Sequence, residues 1–201
     1  MATVKQTCDP IQKSIGWCEG RPQYAGMRRR IWYTSRSNVL SFPRVPLDAM
    51  GRPTSSDCVG EFNLKEGAYF YYIDIVPERS QMTSEAQGDY PSQTSLDKIN
   101  AVHAGVGPEA SALAAYCHNT NNVYVVQDVS GDARIIGIED AWPVKSTVAM
   151  DFGQGPSGTA STTLAVEGTN KVPFPHYKGK IPTEDGEINF GMQISDIAPG
   201  N

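Results

Sequence analysis

The chain has 201 residues, 39% of them hydrophobic and 19% charged, with 19 glycines and 14 prolines. That length suits one domain with long arms, the apolar content excludes a disordered chain, and the turn-formers favour many short strands. The net charge of −5 is uneven: residues 1–50 hold eight basic against three acidic side chains, and residues 51–201 hold nine against nineteen. Such asymmetry fits either ordinary solvated surface or copies that attract one another head to tail.

Residues 1–27 carry glycine and proline breaks around Ile15-Gly16-Trp17-Cys18 and are expected to form an N-terminal arm. No apolar run approaches the roughly 18 residues of a membrane span, and the start lacks the apolar core of a signal peptide. A cytosol-like compartment and no membrane partner are therefore expected. "RRRIWYTSRSNVLSF" (28–42) is expected to be one strand. On a regular strand Arg28, Arg29 and Arg30 would alternate between faces and form no single patch. Without an aromatic platform motif beside them, nucleic-acid recognition is not expected.

Residues 43–62, with three prolines and two glycines, predict a long loop or arm. "GAYFYYIDIVPE" (67–78) predicts a strand with Tyr69, Tyr71 and Tyr72 among large residues on both faces, covered by a second layer or another subunit. The polar, turn-rich stretch 79–94, which includes Tyr90, predicts a second long loop. "SLDKINAVHAG" (95–105) is assigned to a strand. "GPEASALAAYCHNTNN" (107–122) predicts the one helix, over about 108–118. Pro108 suits its first turn, Glu109 favours its positive end, and Leu113 and Cys117 share the face that packs on a sheet. A hairpin about Ser130-Gly131-Asp132 follows, then strands at 145–152 and 159–168, then closing strands with a turn at Asp185-Gly186.

"DFGQGPSG" (151–158) matches both a kinase metal-binding triplet and the G-x-G-x-x-G of dinucleotide loops. A dinucleotide loop must open a helix whose N-terminus holds the pyrophosphate. Here the β-favouring Thr159-Ala-Ser-Thr-Thr-Leu-Ala-Val follows, so a turn between two strands is expected. Cys8, Cys18, Cys58 and Cys117 form no C-x-x-C pair, and His103, His118 and His176 are scattered, so no metal site is expected. Buried free thiols are favoured over a Cys8–Cys18 bridge. On a helix Cys117 and His118 point about 100° apart and cannot act as a pair. No catalytic, cofactor-binding or metal-binding residue is assigned, and no enzyme is expected.

The order of parts resembles a known family. "QKSIGWC" leads into "RRRIWYTSRSNV". Then come "VHAGVGPEASALAAYCHNTNNVYVVQDVSGDARIIG" and "GQGPSGTASTTLAVEGTNKVPFPHYKGKI". This succession is similar to the tail tube proteins of phages and prophage-like elements of gut Bacteroides relatives. The resemblance implies an antiparallel β-sandwich or barrel with one flanking helix, occupying residues 28–201. It implies a structural virion protein, made in the host bacterial cytoplasm, whose hexameric rings stack into a hollow tail tube. Its partners would be copies of itself, other tail proteins such as tape measure, terminator or baseplate proteins, and DNA passing non-specifically through the lumen. Loops 43–62 or 79–94 would reach neighbouring subunits, and the acidic excess after residue 50 would line the lumen. Subunit-interface candidates are Arg28, Arg29, Arg30, Tyr69, Tyr71, Tyr72 and Tyr90. The 27-residue N-terminal stretch departs from the simplest tube domains. Two other readings remain: a capsid decoration or head–tail connector protein, and a carbohydrate-binding sandwich with Trp17, Trp32 and Tyr90 as stacking platforms.

Overall fold

The computed structural model describes residues 14–20 and 22–191. Every described residue before Met27 is exposed, and Met27 is the first buried one. The chain then forms β1 (Met27–Ser35), β2 (Val39–Ser41), β3 (Asn63–Leu64), β4 (Tyr71–Asp74), β5 (Gln81–Gln87), β6 (Thr94–Ala104) and α1 (Pro108–His118). After the helix come β7 (Asn122–Asp128), β8 (Ala133–Ile136), β9 (Lys145–Asp151), β10 (Ser161–Asn170), β11 (His176–Tyr177), β12 (Lys180–Thr183) and β13 (Gly186–Asn189). The protein is mainly β, with antiparallel sheets and one helix.

Two sheets carry the fold. One has five strands in the order β11-β8-β7-β1-β4, and the other has four in the order β5-β6-β10-β9. The five-stranded sheet is the middle layer. On one side Ile31, Tyr124, Val126 and Ile136 pack against Ile99, Ala101, Leu164 and Val166 of the four-stranded sheet. On the other, Trp32, Val123, Val125 and Ile135 lie under Val45, Phe62, Tyr177, Ile181 and Phe190, contributed by the 43–62 arm and the chain from β11 to β13. This explains the unbroken apolar run Val123–Val126: a strand covered on both faces has no polar side to alternate with. The outer cluster is largely aromatic, with Phe62 edge-on to both Phe70 (5.2 Å) and Tyr177 (5.1 Å). Each such contact contributes about 0.5–1.5 kcal/mol beyond the area it buries. The sheets approach closely at Gly168, where a Cβ would lie 2.3 Å from the Ile136 methyl.

The helix matches expectation. Pro108 opens it, and Ala110, Ala114 and Cys117 are buried. Three expected elements are corrected. The strand expected over 28–42 ends at Ser35, whose hydroxyl accepts the Ser37 N–H and caps a 3-10 turn over Arg36–Asn38. That turn is held from across the molecule, because Arg36 donates to the Gly137 carbonyl and Asp140 while stacking on Phe42 at 4.3 Å. The strand expected over 67–78 pairs only as Tyr71–Asp74, since Ile75 and Val76 cross from one sheet to the other. Ile73 and Ile75 face the core, whereas Tyr69, Tyr71 and Tyr72 are exposed in the single chain, so no second layer of the described chain covers them. The loop expected over 79–94 contains β5, a full partner of β6 from Gln81↔Asn100 to Gln87↔Thr94. Its polarity disguises it, because one face meets solvent and the other offers mostly small side chains to a polar part of the core.

Candidate assembly surface

The two sheets differ at their edges. In the five-stranded sheet β11 is bridged by residues 56–58, where Ser56 O and Cys58 N bond the His176 backbone. At the far edge the Phe70 N–H donates to Pro182 O (2.9 Å), and the His103 imidazole bonds the Asp74 carbonyl (2.7 Å). In the four-stranded sheet, β5 and β9 have no backbone hydrogen-bond partner beyond β6 and β10 among the described residues. α1 lies along β9, and His118 Nε2 takes the Val148 carbonyl at 3.3 Å, so one edge carbonyl is engaged. The outer face of this sheet carries Thr83, Glu85, Leu96, Lys98, Asn100, Thr147, Ala149, Thr163, Ala165 and Glu167. Its charges are paired with opposite sign, Lys98 on Glu85 and Lys145 on Glu167 (3.9 Å).

A polar cluster sits inside the same sheet. Asp97, fully buried, accepts the Ser84 hydroxyl, the Asn170 amide (2.6 Å) and the Phe174 N–H (2.9 Å). Desolvation pushes its carboxyl above the ordinary range, and the three donors oppose that shift. The cluster fixes β5 against β6 and against the 170–174 turn, and so positions the open edge.

The three arginines are not distributed as a regular strand would place them. Between Met27↔Asp128 and Ile31↔Val126, β1 uses two more residues than β7, a bulge that contains Arg28, Arg29 and Arg30. All three line one groove of about 820 Å³, with Met27, Trp32, Asp74, Ile75, Val76, Pro77, His103, Ala104 and Gln127. The expectation that they form no single patch is therefore corrected, because a bulge re-aims side chains that strict alternation would separate. Arg30 is committed: it bonds Asp74 at 2.8 Å and stacks over Tyr72 at 4.0 Å. The side chains of Arg28 and Arg29 have no hydrogen bond or ion pair among the described residues.

The other expected interface residues are scattered. Tyr71 joins Tyr33 and Tyr116 in a cluster spaced at 6.1 Å, while the Tyr69 carbonyl accepts the Thr34 hydroxyl at 3.0 Å. Tyr90, 90% exposed, stands alone in the β5–β6 turn, at the opposite end of the sheet from the arginines. Trp32, at 5% exposure, is a core residue and offers no stacking platform, whereas Trp17 is exposed.

"DFGQGPSG" joins β9 to β10, and Gly153 and Gly155 take positive φ. The Gly153 N–H donates to Asp151 Oδ1 at 2.9 Å, and strand β10 follows where a phosphate loop needs a helix. Cys117 is buried beside Tyr124 (3.9 Å), with His118 exposed on another side of the helix. Burial pushes the Cys58 thiol up to about 12. Cys18 is exposed, which corrects the expectation of a buried thiol there, and Cys8, the other end of the bridge considered above, lies outside the described residues. Among those residues no group of three or more His, Cys, Asp or Glu is placed to hold a metal, and no helix is long and apolar enough to cross a membrane. Comparison with known proteins found no matching family, no similar characterised protein and no similar solved structure.

The open β5 edge and the bulge were both missed from sequence. The alternation of Gln81, Thr83, Glu85 and Gln87 on one face was the available signal for β5. The bulge left none, because two extra residues look like strand in either register.

Proposed function

We propose that this chain is a self-assembling structural subunit whose copies close into rings through the four-stranded sheet, as a tail tube protein does. The observation that carries the reading is a sheet with an even number of strands whose two edges have no backbone partner among the described residues, β9 being engaged by α1 at the Val148 carbonyl. Successive strands alternate in direction from β5 to β9, so the two edges run in opposite directions. Rotating a second copy about a ring axis sets its β9 beside β5 of the first with the antiparallel pattern unbroken. The contact is heterologous, and rotation closes it into a ring that leaves no edge exposed. The resemblance to phage tail tube proteins supplies the expected ring of six and the virion location.

In such a ring the outer face of the four-stranded sheet lines the lumen. That face is small, polar and nearly charge-balanced, so DNA would pass because little grips its phosphates. With Glu85, Glu167 and Asp151 against Lys98 and Lys145, this face would offer DNA little carboxylate repulsion.

Negative-stain microscopy and sedimentation velocity of the purified full chain test the proposal. Six-fold rings or tubes are expected, and a monomer at high concentration overturns it. Proline placed singly at Thr83, Ser84 and Glu85 tests the edge. Consecutive N–H groups point to opposite sides of a strand, so a proline whose lost N–H faces outward should leave a folded monomer that cannot assemble.

A further inference from the structure

We propose that Asp151 and Phe152 of one copy dock into the three-arginine groove of the next. Phe152 would rest on the apolar lining, and the Asp151 carboxylate would lie against Arg28 and Arg29. This rests on the ring reading and names the side-chain contact that fixes neighbours within it.

The groove has two unmet requirements. Its lining includes the apolar Met27, Ile75, Val76 and Ala104 and, besides the paired Arg30, two guanidinium groups with no carboxylate partner among the described residues. An occupant needs an aromatic or aliphatic side chain beside a carboxylate. The β9–β10 loop offers both. Phe152 is 72% exposed, and Asp151 commits one oxygen to the Gly153 N–H, which leaves the other for a cation.

The topology sets plug and groove where a ring needs them. Ser161 is opposite both Ala104 and Asp151, so the end of β9 is level with the end of β6 that lines the groove. Within one copy Asp151 is two strands, about 10 Å, away from Ala104, on the far side of β10. Across the proposed contact, the same end of β9 meets the segment that runs from Val76 and Pro77, which line the neighbouring groove, into β5. Plug and socket thus lie at one end of the sheet on opposite edges.

Other acidic sites fit less well. Asp140 already holds Arg36 and Arg44, and Glu139 holds Lys171 at 3.1 Å. Asp89 stands beside the exposed Tyr90, but at the opposite end of the sheet, where it could reach a groove only from a stacked ring. Its phenol would also need a polar partner within an apolar lining.

The test measures the concentration at half-assembly by sedimentation velocity, with far-UV circular dichroism to check the fold. Phe152→Ser and Arg29→Glu each alter exposed side chains and should raise that concentration about tenfold or more with the spectrum unchanged. Combining Arg29→Glu with Asp151→Arg should restore assembly to within about threefold of wild type. A wild-type chain that never assembles overturns the ring reading and the docking together. Normal assembly by wild type and both single variants overturns the docking alone. Rescue of Arg29→Glu by Asp89→Arg instead of Asp151→Arg also overturns it.

Discussion

The five-stranded and four-stranded sheets solve different problems with the same secondary structure. The first is covered on both faces along β7 and β8 and bridged at both edges, so its central residues answer mainly to the interior. The second buries one face, exposes the other and leaves β5 and β9 unpaired. A buried sheet can be strengthened wherever packing improves, whereas a sheet with unpaired edges presents backbone groups to random pairing. Glu85 on β5 and Lys145 and Asp151 on β9 supply the charge that discourages such pairing.

The sharpest break in this comparison comes from truncating one residue in each sheet. Ile135 is fully buried in the middle layer, and Ile135→Ala should cost about 2–5 kcal/mol through lost burial and the cavity left behind. Thr163, on the outer face of the four-stranded sheet, should lose no more than about 0.5 kcal/mol as Thr163→Ala. Urea denaturation of both variants checks the contrast, and similar losses would mean the outer face is covered in the isolated chain.

Asp97 is the exception inside the second sheet, and its pH behaviour sharpens the comparison. Asp97→Ala strands three donors and should cost about 2–3 kcal/mol. Because the folded carboxyl is raised above the ordinary value of 3.8, the native state holds its proton more tightly than the unfolded chain. The stability it contributes is full below that value and is lost as pH rises through the folded pKa. Asp97→Asn cannot titrate, so its deficit against wild type should be largest in acid and shrink toward neutral pH. Denaturation midpoints taken across that range test the sign, and a deficit that grows with pH would contradict it.

The same contrast explains what was legible in the sequence. Val123–Val126, Ile135-Ile136 and the Ala110–Cys117 face announce themselves because burial on two sides or along one helix stripe leaves a compositional mark. β5 does not, since Ser84 and Ala86 face Asp97 and Ser95 instead of a hydrophobic core. Tyr69 to Val76 shows the opposite case: large residues suggested a second layer or another subunit on both faces, and within the described chain no layer covers the tyrosines, which lie at a sheet edge with their rings partly in solvent. The three-arginine groove was hidden most completely. It depends on a difference between the β1 and β7 registers, and neither strand records that difference alone.

The smallest expected effect concerns how the middle sheet secures β4. Arg30 and Asp74 are directly opposite in register, and the guanidinium also covers the Tyr72 ring. Both charged side chains are about half exposed, at 46% and 56%, so water and salt screen the pair. Arg30→Gln should therefore cost only about 0.5–1 kcal/mol at low ionic strength. The ion-pair part should fade in 1 M salt, where the screening length falls to about 3 Å, while the contact with Tyr72 persists. Arg30→Gln in the Tyr72→Leu background separates the two by a double-mutant cycle at low and high salt. A coupling between Arg30 and Tyr72 that survives high salt would show that stacking holds this edge closed. A coupling that vanishes would leave β4 held by its backbone bonds to β1 and the 182–183 segment.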